Sequence, residues 1–253
     1  MVQPAMLVGA GAAEKAASAG MQSNPIPARD KPHTVARDRW KVGGGLTERD
    51  QLKVLDLLRD SNDRFPYSLE DLGQYTGPKM EIKLNHPEKV IFRPPHKLGE
   101  KEWEFVGDQC AKLNKLGFIR LSNQSQYAFA TVVVRKKDAD GNHIDFRKCG
   151  DYRPLNAETN LDRYQLPLIE SIFNDMRGPQ VFSKLDLRSS YQQMALREAD
   201  KAKTAFRGAQ RILWEWCVVP FGLKNAPPFF QRQTDRVLMG LPYARCYIDD
   251  IVV

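Results

Sequence analysis

An α+β fold, with helices laid behind an antiparallel sheet, is the architecture this sequence predicts, and three observations predict it. The C-terminal half reads as strand, helix, hairpin, helix, strand, an order that segregates helices to one face of an antiparallel sheet. Upstream, the β-branched run from Ala130 to Val134 meets a turn at Asp138-Ala139-Asp140-Gly141-Asn142 and returns through Phe146-Arg147-Lys148, the pattern of a hairpin. Finally, two short apolar runs, Val181 to Leu187 and Tyr247 to Val253, carry Asp186 and the pair Asp249-Asp250. Carboxylate in or beside a buried strand is expensive unless something positive answers it, so the fold has reason to bring these runs together.

The bulk numbers bound the possibilities. With 253 residues, 42% apolar and 27% charged, the chain is globular and long enough for one or two cores. A formal charge of +7 favours an anionic partner, nucleic acid being the economical one. Cys110, Cys149, Cys217 and Cys246 are scattered without metal-ligand spacing, which fits a reduced intracellular, cytoplasmic setting. No uncharged apolar stretch approaches the ~18 residues of a membrane span, so no membrane partner is expected. The Ala5 to Ala13 run lacks a basic leader, and Glu14 stands where a dinucleotide fingerprint needs its third glycine.

Taken in order, residues 1–45 are rich in Ala, Gly, Ser and Pro and read as a disordered leader. Thr47 is placed to cap a helix carrying Leu52, Leu55 and Leu58. Met80 to Leu84 alternates like a half-buried strand. After Gly99, Trp103, Val106, Cys110 and Leu113 share one helical face until Gly117 stops the helix; Trp103 is read as core rather than as a platform for a base. A short helix around Ile169, Ile172, Phe173 and Met176 leads into the first acidic run, and Ser189 is placed to cap a helix from Ser190. Lys203 to Arg207 and Leu213 to Val219 form an antiparallel pair. Asn225 caps a helix that accepts Pro227 and Pro228 in its first turn and turns Phe230, Val237 and Leu238 inward until Gly240.

Three carboxylates converging from separate strands would make a platform for two hard divalent cations roughly 3.5–4 Å apart, because magnesium prefers oxygen ligands and keeps substrate phosphates in its shell. The competing reading is a pair of ordinary turns, where Asp-Asp is common. The basic hairpin has a similar pair of readings. Its lysines and arginines suit a triphosphate, lysine as a point charge and arginine as a planar fork, and they suit a solvated hairpin equally.

The surrounding motifs separate these readings. Arg188 to Leu196, Lys203-Thr204-Ala205-Phe206-Arg207, Val219-Pro220-Phe221-Gly222-Leu223-Lys224-Asn225-Ala226-Pro227 and Tyr247-Ile248-Asp249-Asp250, in this order and spacing, closely resemble the reverse transcriptase that gypsy-type long-terminal-repeat retrotransposons carry in their Pol polyprotein. Leu116 to Ser122, Thr131 to Asp138 and Gly150 to Asn156 match the same family, and the resemblance runs from Leu46 to Val253.

The resemblance implies a right-hand polymerase with interleaved subdomains: fingers at 98–160 and 194–225, palm at 161–193 and 226–253, a connector at 46–97, and the thumb missing. It implies two magnesium ions, with manganese as a substitute, held by Asp186, Asp249 and Asp250. Lys136 and Arg147 then hold the incoming triphosphate, and Tyr191, on the first turn of a helix, blocks a ribose 2′-hydroxyl, with a packed core tyrosine as the other reading. Phe221 and Gly222 line the sugar pocket, and Arg153 and Gln231 touch template. The partners implied are an RNA or DNA template with its primer and deoxynucleoside triphosphates. Ser190 replaces the family's glycine, Gln192 a frequent histidine, and Pro228-Phe229 the small residues after Ala-Pro. Because the chain stops three residues after the Asp-Asp turn, the partner strand, primer grip, thumb and any RNase H or integrase region are expected to be absent, leaving weak or no activity in this polypeptide alone. Beside the polymerase stands a non-catalytic nucleic-acid-binding remnant of a decayed element. An RNA-dependent RNA polymerase is disfavoured by Tyr191.

Overall fold

The computed structural model describes residues 42, 45–122, 125–137, 143–179 and 181–253, without the side chains of 135–137 and 143–145. The leader expected at 1–45 and the hairpin tip at 138–142 lie outside the described residues, apart from residues 42 and 45. The described residues divide into two compact units, one of those up to Gly77 with Gln165–Ser190 and Phe230–Val253, the other of those in Pro78–Tyr164 and Tyr191–Phe229.

In the first unit, helix α1 (Glu48–Asp60) starts where expected: Thr47 Oγ1 accepts from the Asp50 N–H at 3.3 Å, with Glu48 and Asp50 in the first turn. None of its residues is buried, so the leucine pattern is amphipathic without becoming core. Phe65, at 1% exposure, anchors the segment after it. The centre of this unit is a three-stranded antiparallel sheet of β4 (Lys184–Asp186), β8 (Asp250–Val252) and β7 (Arg245–Tyr247), with β8 in the middle. Asp186 lies opposite Asp250, and Tyr247 opposite Asp250 on the other side. The strand after the Asp-Asp turn therefore has two partners, which corrects the expectation that its mate is missing: a two-residue turn folds β8 back on β7, and β4 closes its other edge. The first acidic run is shorter than expected, since Val181 and Phe182 are exposed while Leu185 and Leu187 are buried.

The second unit holds the helix α2 (Glu100–Lys115), whose Val106, Cys110 and Leu113 are buried, closed by Gly117 at φ +73°. The left-handed turn there suits a residue without Cβ. Its sheet orders β1 (Ile119–Leu121), β6 (Leu213–Trp216) and β5 (Phe206–Arg207), all antiparallel. A separate hairpin pairs β2 (Thr131–Lys137) with β3 (His143–Gly150), with an irregularity at Lys136/Lys137. Tyr152, wholly buried, packs edge-on against Phe129 and donates its hydroxyl to Thr204 O at 2.9 Å, satisfying a polar tip inside the core. Short helices α3 (Arg153–Glu158) and α5 (Glu198–Lys201) belong to this unit, α4 (Ile169–Asp175) to the other, and α6 (Ala226–Leu238) carries the boundary between Phe229 and Phe230.

Several local expectations change. Met80, Ile82 and Leu84 alternate inward as foreseen, yet they make only isolated bridges, Met80 with Leu196 and Leu84 with Thr159, because successive residues find different partners. Ser189 caps no α-helix: it sits at φ +49°, and Ser190–Gln193 is a single 3₁₀ turn, so Tyr191 stands on that turn and not on a helix. Lys203 and Thr204 likewise close a 3₁₀ turn, leaving two residues for β5. Asn225 turns its side chain off α6; its Oδ1 accepts from Asp162 N–H and its Nδ2 donates to Asn160 O. Among the described residues no helix is long and apolar enough to cross a membrane.

Candidate active site

The first unit gathers the acidic residues by register. Asp186 ends β4 and faces Asp250, and the Leu187 N–H donates to Asp249 O at 2.8 Å, tying the end of one run to the turn of the other. That turn is strained. Ile248, the first of its two central residues, has φ +55°, a position that two-residue hairpin loops of this sign ordinarily give to glycine. A β-branched residue there is an outlier that persists only where its surroundings hold it.

Gln231, on α6, is what holds it. Its Oε1 accepts from Ile248 N–H at 2.7 Å, and its Nε2 donates to Cys246 O at 3.0 Å and to Asp235 Oδ1 at 2.8 Å. Cys246 Sγ adds a bond to Ile248 O at 3.0 Å. Gln231 is 0% exposed. The expected template contact is therefore wrong for this residue: its amide is consumed inside the unit, bracing the acidic turn. The signal available in the sequence was position, since Gln231 lies seven residues before Leu238, already read as facing inward, and so shares its side of the helix.

Electrostatically the acidic end of the sheet carries an excess of negative charge. Partial burial pushes the Asp186 carboxyl above its ordinary value, and the charges of Asp249 and Asp250 push it further. Lys184 Nζ lies 3.0 Å from Asp250 Oδ1. The backbone brings the three positions to one place, but the side chains are not gathered around a point: among the described residues no set of three or more His, Cys, Asp or Glu side chains converges as it would around an ion. Asp250 pairs instead with Lys184. The donor set nonetheless fits a hard divalent ion, being carboxylate oxygen throughout.

The second unit holds the other candidate residues. Tyr191 and Phe221 meet edge-to-face, ring centroids 5.4 Å apart, with Phe221 half exposed. Gly222 has φ +93°, so its conformation asks for glycine, while a Cβ there would meet Cys149 Sγ at 3.4 Å, an ordinary contact. The turn is stapled by Asn156, which donates from Nδ2 to Gly222 O at 2.7 Å and accepts at Oδ1 from Lys224 N–H at 2.9 Å. Asn156 closes the motif from Gly150, and nothing in the sequence pointed to this task. Arg147 is exposed on β3 opposite Val134, and the side chain of Lys136 lies outside the described residues. Arg153 grips Asp151 with Nε and Nη2, each at 2.7 Å, and this guanidinium is the main reason the Asp151 carboxyl falls to about 2.

This fold is that of a polymerase of the reverse-transcribing kind. The protease-reverse transcriptase of prototype foamy virus, in a crystal structure of a mutant form, superposes with a TM-score of 0.68 over 83% of this chain and 27% of that chain at 18% identity. In sequence, residues 134–253 match the family described as reverse transcriptase (RNA-dependent DNA polymerase). Polyprotein P3 of Commelina yellow mottle virus is 32% identical over 79% of this chain and 11% of its own length. The enzymatic polyprotein of cauliflower mosaic virus is 32% identical over 82% of this chain and 30% of its own. The Pol polyprotein of transposon gypsy from Drosophila melanogaster is 40% identical over 59% of this chain and 15% of its own. The chain carries a reverse transcriptase domain, similar to that of gypsy-type retrotransposons. It spans less than a third of the length of these curated relatives.

Proposed function

We propose that this chain is the fingers-and-palm portion of an RNA-directed DNA polymerase, which extends a primer 3′-hydroxyl with deoxynucleotides along an RNA or DNA template. The observation that carries the reading is the pairing of Asp186 with Asp250, with Asp249 in the turn between β7 and β8. In it, Asp186, Asp249 and Asp250 hold the divalent ions, magnesium or manganese. Two such ions, when bound, supply activation of the primer hydroxyl and charge neutralisation at the triphosphate and the departing pyrophosphate.

The chain's own residues do the rest of the work. Gln231 keeps the acidic turn in a conformation it would otherwise leave. Tyr191, braced by the Phe221 ring, presents a rigid aromatic that rejects a 2′-hydroxyl by volume. Gly222 allows the backbone to approach a sugar closely. Lys136 and Arg147 grip phosphate oxygens, and Arg153 touches template. Residues 98–160 and 194–225 act as fingers, 161–193 and 226–253 as palm.

The test is magnesium-dependent extension of oligo-dT on poly-rA by the enzyme containing this chain, against Asp249→Asn. Loss of extension by at least a hundredfold is expected, since the acidic platform acts as a unit. Extension at the wild-type rate ends the proposal. Salt-sensitive, metal-independent filter binding without any extension would mark a nucleic-acid-binding remnant instead.

A further inference from the structure

Lys184 is the feature of the acidic end that the polymerase reading does not use. Side chains two apart on a strand share a face, so Lys184 and Asp186 lie on one side of β4. Asp250, opposite Asp186 on β8, lies diagonally across from Lys184. A long side chain spans that diagonal, and here its ammonium reaches Asp250 Oδ1 at 3.0 Å. Both partners remain substantially exposed, at 63% and 45% of their side chains, so the ammonium can swing out to water at little cost.

We propose that Lys184 is a built-in counter-cation of the acidic platform: it holds Asp250 while no divalent ion is present, gives up that oxygen when one binds, and thereby sets how tightly the platform takes metal. The assignment rests on the two-metal reading of Asp186, Asp249 and Asp250. Lys184 is a positioning residue, since it acts through Asp250 and touches no reacting atom. Two consequences follow. With the lysine absent, three carboxylates repel with nothing to offset them, and the metal-free protein loses stability. A divalent ion also no longer competes with a fixed positive charge, and binds more tightly.

The experiment is a Mn²⁺ titration of the 253-residue chain, free Mn²⁺ read by electron paramagnetic resonance at low ionic strength, for wild type, Lys184→Met and Lys184→Arg, with thermal unfolding in the absence and presence of saturating Mn²⁺. A unit charge within several ångströms of a divalent ion in water-like surroundings changes affinity by about three- to tenfold. Lys184→Met is expected to bind that much more tightly and to melt lower than wild type without metal, the gap closing with Mn²⁺. Lys184→Arg is expected to bind within about twofold of wild type, because it restores the charge. Should Lys184→Met lose its far-ultraviolet spectrum, Lys184→Gln repeats the comparison. Binding by a folded charge-removed variant that is no tighter than wild type overturns the role of Lys184 alone. Absence of Mn²⁺ binding from every variant overturns the two-metal reading, and this inference with it.

Discussion

Replacing Gln231 with leucine tests how the acidic turn is held. The substitution keeps nearly the same volume inside the core and deletes three hydrogen bonds, to Ile248 N–H, Cys246 O and Asp235 Oδ1. A hydrogen bond contributes about 1 kcal/mol net, whereas a buried group left without a partner costs about 1–3 kcal/mol. Cys246 is buried, so its carbonyl stays dry; Ile248 is only partly buried, and water can reach part of what its N–H loses. These contributions come to about 2–4 kcal/mol of destabilisation. Ile248 then keeps only the Cys246 Sγ bond to its carbonyl to hold it at φ +55°, and relaxation of that residue moves Asp249, the next in the chain. Urea unfolding of the chain should show a lower midpoint at unchanged slope. Primer extension by the enzyme containing it should lose at least tenfold in kcat, because a misplacement of about 1 Å is enough to cost that much. A variant within about 0.5 kcal/mol of wild type that extends primers at the wild-type rate would show that Gln231 fills space and braces nothing.

Two further outcomes are expected. Tyr191→Ala removes both the aromatic volume and its edge-to-face contact with Phe221, and should raise incorporation of ribonucleotides relative to deoxynucleotides by at least tenfold in single-nucleotide extension; an unchanged ratio would leave Tyr191 a packing residue. Arg153→Ala should weaken the protein at neutral pH and progressively less in acid. The sign follows from Asp151: its carboxyl stands at about 2 in the folded chain against 3.8 ordinarily, so the stability it contributes is present above pH 3.8 and is lost as pH falls towards 2. Urea midpoints of the two proteins should converge across that window, and a gap that widens in acid would contradict the assignment.

Much of the candidate site was legible because it is built from residue types that are costly to bury. Asp186, Asp249 and Asp250 stood out as carboxylates in apolar runs, and the helix around Val106, Cys110 and Leu113 by its periodicity. Gly222 was expected to approach a sugar closely; the structure puts it at φ +93°, a backbone conformation that favours glycine. Gln231 was misread for a physical reason: an amide serves equally well on a base edge or a backbone, and only its burial shows which. Asn156 was passed over on the same ground. The 3₁₀ turn at Ser190 was taken for a helix because Ser189 has a capping residue's chemistry, while its positive φ leaves no such role.

The sequence by itself determined the family resemblance, the identity of the acidic residues and that the stretch ending at Arg207 pairs antiparallel with the one starting at Leu213, because side-chain charge, apolar alternation and motif order are properties of the chain read locally. Tertiary structure alone decided that Asp250–Val252 is a central strand, that Gln231 braces the turn through Ile248, and that Lys184 reaches Asp250 across the sheet. Each of these depends on register, and a shift of one residue would send every side chain of the strand to the opposite face.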